Sequence, residues 1–301
     1  MLPAFLTTVL FAISGVSANR TSRKLGGIRA NFYRITLATA LLAVWAHAVG
    51  SGIAGQAFPY FLVSGVVGFG LGDLALYQAL PRLGSRLSIL LVHCLAAPFA
   101  AAAEWLWLRT MLTPMQIAAS AIILIGVAIA LVPGEHVPIP RRLLIVGIAF
   151  GTMAAIGQGF GAVVSRKAYQ VAVSAGQQID GLTAAYQRIL AGWVVGLLAF
   201  AFWRERASLE GGPERFPGRR LWAASPWVAL NALAGPTLGV GCYQWALATR
   251  PTGVVLPIVA TTPIVVIPFA RLIEGERPTM RSLIGGAIAV IGAILMAFAR
   301  S

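Results

Sequence analysis

The chain has 301 residues, 58% of them hydrophobic and 11% charged, with a mean hydropathy of +0.82 and a formal net charge of +14. Soluble domains carry about 25% charged residues, so a fold surrounded only by water is excluded and part of the solvent must be lipid. The positive excess is nearly all arginine at the ends of apolar runs, where it meets phospholipid headgroups, and no basic patch interleaved with aromatics points to nucleic acid.

The predicted elements are all helices. Leu143 to Ser165, Thr110 to Gly134, Leu221 to Thr249 and Ser282 to Ala299 each carry no charge within them. About 20 apolar residues at about 1.5 Å rise cross the hydrocarbon layer, and backbone groups in lipid must be satisfied within the segment. The alternation of barrel strands is missing. The chain opens on Leu2–Asn19, which no basic stretch precedes and which reads as a retained helix rather than a cleaved signal. Ile28–Ala48, Phe58–Leu80, Ser85–Trp107 and Pro114–Val132 follow. An aqueous joint around Pro133–Pro140 leads to Arg142–Val164, Gly181–Trp203, Pro226–Leu247, Gly253–Leu272 and Thr279–Phe298, with a polar connector at Arg204 to Ser225. Cys94 and Cys242 lie inside apolar runs and form no disulfide framework.

An internal repeat runs through these elements. Ser22-Arg23-Lys24 is echoed by Ser165-Arg166-Lys167, and Tyr33-Arg34-Ile35 by Gln187-Arg188-Ile189. Tyr77-Gln78 is echoed by Tyr243-Gln244, Pro98 by Pro263, and Ile125-Gly126-Val127 by Ile291-Gly292-Ala293. The expected fold is an all-α membrane protein of ten transmembrane helices in two five-helix repeats, 1–136 and 137–301. An odd number of helices per half inserts the second half the opposite way. Such inverted repeats characterise transporters, with the substrate site at the midplane between the halves. Connectors after the odd-numbered helices hold most of the basic residues, Arg20 to Arg29, Arg82, Arg86, Arg141, Arg142 and Arg204 to Arg220 among them. The positive-inside rule puts that side in the cytoplasm and both termini outside.

The sequence resembles the drug/metabolite transporter superfamily, EamA type, over nearly its whole length. The resemblance is carried by Phe32-Tyr33-Arg34-Ile35 and Tyr186-Gln187-Arg188-Ile189, by the run Gly72 to Leu80, by Pro98 and Pro263, and by Glu274-Gly275-Glu276-Arg277. The last is similar to the family's Leu-Gly-Glu-Arg signature with Glu274 in place of leucine, while Arg109-Thr110-Met111 stands where the first half would carry it. The resemblance implies ten helices, a central cavity open to alternate sides, export or exchange of small metabolites, and cytoplasmic termini, against the charge count.

Asp73 lies inside the third helix with Tyr77 one turn on and on the same face. An acid there costs about 3 kcal/mol on insertion scales. It serves a proton or a cationic substrate, pairs with Arg34 or Arg86, or sits near enough to the interface to be wet. Arg34 and Arg188 open matching helices, as gates or carboxylate clamps, or as long side chains snorkelling to headgroups. Tyr77, Gln78, Tyr243, Gln244 and Trp245 form a symmetric polar-aromatic set, suited to a polar solute or to an interfacial belt. His93 titrates near neutral pH or bonds a neighbouring helix. Gln158, between glycines, is a further cavity candidate, and Glu104 is expected to meet Arg109 or water. Pro98 and Pro263 are the candidate hinges, breaking helices four and nine. Gly285, Ala289, Gly292 and Ala293 form a small-residue face for packing within the chain or in a dimer.

The Gly-x-Gly runs at 68–72 and 157–161 lack dinucleotide spacing, His47, His93 and His136 are scattered, and no Ser-His-Asp grouping is present. No catalytic residue, metal or cofactor is therefore expected. The expected function is secondary transport of small polar or amphipathic metabolites, such as amino acids or cationic drugs, by alternating access in a bacterial inner membrane. Its partners are a small-molecule substrate, membrane lipids and a coupling proton or cation, and it acts as a monomer or homodimer. The alternatives are a membrane-embedded enzyme acting on lipid-linked substrate, with Glu104 and His93 as its only pair, and a structural subunit or sensor.

Overall fold

A computed structural model describes residues 1–108, 113–131, 139–209, 218–250, 252–276 and 278–298. Arg109-Thr110-Met111, His136, Arg215 and Arg277, with most of the joint after residue 132, lie outside these residues. All regular structure among the described residues is helical.

Helices α1 (Leu2–Leu25) and α2 (Gly27–Ala48) meet at Gly26, whose φ of 82° is open to glycine at little cost. The expected end at Asn19 falls short, because the polar turn after it continues the helix. The third expected helix is α3 (Phe58–Gly65), a π-helical stretch (Val66–Gly72) and the first part of α4 (Asp73–Leu108). The expected connector between helices three and four shrinks to Gly84, the one non-helical residue inside α4, at φ 80°. Next come α5 (Pro114–Leu131) and α6 (Arg141–Ser174). Helix α6 runs well past the expected Val164, so Arg166 and Lys167 are helical rather than in a connector. There Arg166 donates to the carbonyls of Leu247 (2.7 Å) and Ala248 (3.1 Å), groups that a helix end leaves without an intrahelical partner.

The second half continues with α7 (Gly181–Leu209), α8 (Gly218–Ala232), a π-helical stretch (Leu233–Thr237) and α9 (Leu238–Thr249). It closes with α10 (Thr252–Val259), α11 (Thr262–Phe269), a π-helical stretch (Ala270–Glu274) and α12 (Met280–Phe298). Among the described residues, five helical runs are long and apolar enough to cross a membrane by length and composition: Leu2–Leu25, Phe58–Trp107, Arg141–Ser174, Gly181–Glu205 and Val254–Glu274. Pro114–Ala130 and Met280–Met296 are shorter apolar helices.

The packing repeats when the halves are exchanged. Helix α2 packs on α7 and α5 on α12, each element on its own counterpart. Helix α1 packs on α8, α10 and α11, as α6 packs on α3, its π-helical extension and α4. The π-helical stretches at 66–72 and 233–237 fall in corresponding helices of the two halves. This is a two-repeat architecture.

The small-residue face of α12 is spent inside the chain. Gly285, Ala289, Gly292 and Ala293 are buried, and a Cβ on Gly126 of α5 would come within 2.7 Å of the Gly285 carbonyl oxygen. Backbone cannot retreat as a flexible side chain can, so overpacking here costs about 1–3 kcal/mol. Gly126→Ala should lower the thermal unfolding midpoint of the detergent-purified protein, followed by tryptophan fluorescence. An unchanged midpoint would mean that α5 and α12 do not pack this closely.

Candidate functional site

Residues of both halves line a cavity of about 80 Å³. Helix α1 contributes Phe11 and Ser14, α2 Arg34, and the π-helical stretch with α4 contributes Phe69, Asp73, Tyr77 and His93. From the second half come Gln158, Arg188, Pro236 and Tyr243. The two π-helical stretches widen the helices that flank the cavity, a distortion frequent at functional sites. Glycines let α3 and its extension press against α7. A Cβ on Gly65 would lie 2.7 Å from the backbone carbonyl carbon of Arg188, and one on Gly68 would lie 2.8 Å from Nη2 of the same residue. A larger residue at either position would push α7, or the Arg188 guanidinium, out of place.

Asp73 pairs with Arg34, not Arg86; the Arg34 guanidinium donates to its carboxylate. Arg34 also donates from Nε (3.2 Å) and Nη2 (2.9 Å) to Asn31 Oδ1 and lies 4.8 Å over the Tyr77 ring. The Tyr77 hydroxyl accepts from Asn231 Nδ2 (2.5 Å), and Asn231 Oδ1 accepts from Ser14 (2.9 Å). This network ties α1, α2, α4 and α8 together. Arg86 instead donates to Glu276 at 2.9 Å and to Ser282.

Arg188 differs from its repeat counterpart. It is 4% exposed, yet among the described residues its guanidinium makes no hydrogen bond or ion pair, and its Nε is buried without a partner. Its guanidinium lies 5.3 Å over the Phe69 ring. In the register that matches Tyr77 with Tyr243, the position matching Asp73 is Gly239. The first half thus supplies a carboxylate for its arginine and the second half does not. Neither arginine reaches out toward headgroups, because the helices that present them turn the side chains inward.

Three further polar atoms on cavity-lining residues have no partner among the described residues: His93 Nδ1, Gln158 Nε2 and the Tyr243 hydroxyl. His93 stacks on Phe11 with ring centroids 5.4 Å apart. Tyr77 and Tyr243 are fully buried rather than part of an interfacial belt, while Trp245 is half-exposed. Gln244 is buried, with both amide atoms unpartnered among the described residues, and is not one of the residues that line the cavity. Gln78 accepts from Arg82 at 3.0 Å.

The paired prolines are not alike. Pro263 occupies the first turn of α11, just past the break at Ala260 and Thr261, where a missing N–H costs nothing. Pro98 lies within α4, and the helix continues through it. The fourth expected helix is thus continuous through Pro98, and the one non-helical residue of α4 is Gly84, in the connector that precedes it. Glu104 accepts from Thr252 at 2.7 Å, across the halves; Arg109 is outside the described residues.

Asn31, Asn231, Ser14, Phe11 and Phe69 also belong to the site. Asn31 was legible as a polar residue one turn before Arg34, and Asn231 as an amide inside an uncharged run. The two phenylalanines carry no signal that separates them from other apolar residues.

A family model described as the EamA-like transporter family matches residues 1–132 and 145–298. A solved structure titled "Crystal structure of protein" aligns over 98% of this chain and 94% of its own, with a TM-score of 0.65 and 18% identity, a likeness of fold. No curated protein matches the sequence.

Proposed function

Because the chain belongs to the EamA-like transporter family, whose members are membrane transporters of small solutes, we propose that it is a multi-pass secondary transporter of a bacterial inner membrane. It moves a small polar or amphipathic metabolite outward, or in exchange, by alternating access. The observation that carries this reading is a cavity lined by both repeats around the Arg34–Asp73 pair and Arg188. Ten spans with five per repeat, divided near 136, would set the halves upside down to one another and the cavity near the midplane.

Contacts between the halves flank the cavity on both sides. At one end Asn19 Nδ2 donates to Glu274 (2.9 Å), Ser85 to Glu274 (2.8 Å) and Arg86 to Glu276. By helix parity the opposite end carries Trp45 Nε1 donating to Asp180 (3.1 Å), and Gln187 Nε2 donating to the carbonyls of Gly52 (3.0 Å) and Ala54 (3.1 Å). Hydrogen bonds and one ion pair are exchangeable for water, so such ends can part in turn where a wholly apolar seal would resist. The energy comes from a gradient, with Asp73 as the group that a proton or cation would compete for.

An enzyme reading finds less support. Its only pair, His93 and Glu104, lies about three turns apart along one helix, and Glu104 is not among the cavity residues.

Purified protein in liposomes, loaded with candidate metabolites and given an imposed pH gradient, tests the proposal. Accumulation or counterflow above protein-free liposomes is the expected result. Absence of both for every solute and gradient would overturn it.

A further inference from the structure

We infer that the transported solute carries a single carboxylate, and that Arg188 is the residue that receives it. The inference rests on the transport reading and adds the charge of the solute. Among the cavity's lining residues there are two guanidinium groups, Arg34 and Arg188, and one carboxylate, Asp73. Arg34 and Asp73 neutralise each other in direct contact, and Asn31 takes up further Arg34 donors. Arg188 is left with a buried charge and no partner among the described residues.

An uncompensated charge away from water is expensive, and proteins normally pair it or place it where a ligand will. The placement here favours a ligand. Arg188 lines the cavity together with Gln158 and Tyr243, and glycine at 68 and 161 leaves space for its Nη2, from which added Cβ atoms would stand 2.8 Å and 3.3 Å. The planar fork of an arginine matches a carboxylate with two parallel hydrogen bonds. The Tyr243 hydroxyl and Gln158 Nε2, also without partners among the described residues, are donors that can complete the set. Charge balance selects the class: a monoanion cancels the surplus of one, a phosphate dianion overshoots it, and a solute whose only charge is positive adds to it. An amino group elsewhere on the solute is compatible, since the Asp73 side of the cavity offers a carboxylate.

The test compares matched pairs. Proteinogenic amino acids and small monocarboxylates are each set beside their own primary amide, with inorganic phosphate and phosphate esters as a separate arm. Thermal stabilisation of the detergent-purified full chain and counterflow in proteoliposomes are read for each. At least one acid should stabilise and be transported while its amide does neither. Arg188→Gln should weaken the apparent affinity for that acid by about tenfold or more, with Arg188→Lys between it and the unaltered protein. The pair comparison needs no substitution, so a variant that fails to fold leaves it intact. Equal response to acid and amide, or a stronger response to phosphate compounds, would overturn the carboxylate inference and leave transport standing. No transport of any compound would overturn both.

Discussion

Asp73→Asn is expected to abolish transport and to cost about 3–5 kcal/mol of stability, because it leaves the Arg34 guanidinium buried and uncompensated. Arg34 is held by Asn31 and by the Tyr77 ring as well as by Asp73, so it cannot swing to lipid headgroups to recover solvation. The double variant Arg34→Gln/Asp73→Asn removes both charges. It should regain much of the stability while remaining inactive. Thermal unfolding in detergent separates the two effects, and counterflow in liposomes reads activity. A single variant that unfolds at the original temperature and transports with the original pH dependence would show that the pair serves neither structure nor coupling.

The second large effect concerns the end of the cavity bridged by Asn19 and Glu274. These residues belong to opposite halves, and their contact must break whenever that end opens. In a background with Cys94 and Cys242 replaced, Asn19→Cys/Glu274→Cys joined by a short bis-methanethiosulfonate linker should lose transport by more than about tenfold. Reductant should restore it. The unlinked variant is the reference, so the loss is assigned to the tether and not to the substitutions. Transport that persists with the tether complete would remove this end from the gating scheme.

Much of the architecture was legible in the sequence because lipid imposes simple rules. Uncharged runs must be helical, and the repeat of Tyr33-Arg34-Ile35 in Gln187-Arg188-Ile189 set matching helices in the two halves before any contact was known. Within the site, Asp73, Tyr77, His93, Gln158, Arg34, Arg188 and Tyr243 all line the cavity, because polar groups in apolar helices are kept from lipid. Less was legible where local rules tie. Arg34 and Arg86 were equal partners for Asp73 on paper, and only the approach of α2 to α4 decides for Arg34 while Glu276 takes Arg86. Proline content pointed to a break at Pro98, yet α4 continues through it, as a membrane helix that absorbs a proline can. Helix α6 outran its expected end because Arg166 finds carbonyl acceptors at the end of α9, a contact invisible from spacing. The repeat also concealed its most informative departure, the absence at Gly239 of any acid to match Asp73.

Access to the cavity from the two faces of the membrane tests the central claim most directly. Gln158 lines the cavity with an amide nitrogen that no group among the described residues takes up. Gln158→Cys, in the background lacking Cys94 and Cys242, can be challenged with a membrane-impermeant thiol reagent in right-side-out and in inverted vesicles. Modification from both faces is the predicted result. Modification from one face only, or from neither, would contradict a cavity that opens alternately to the two sides.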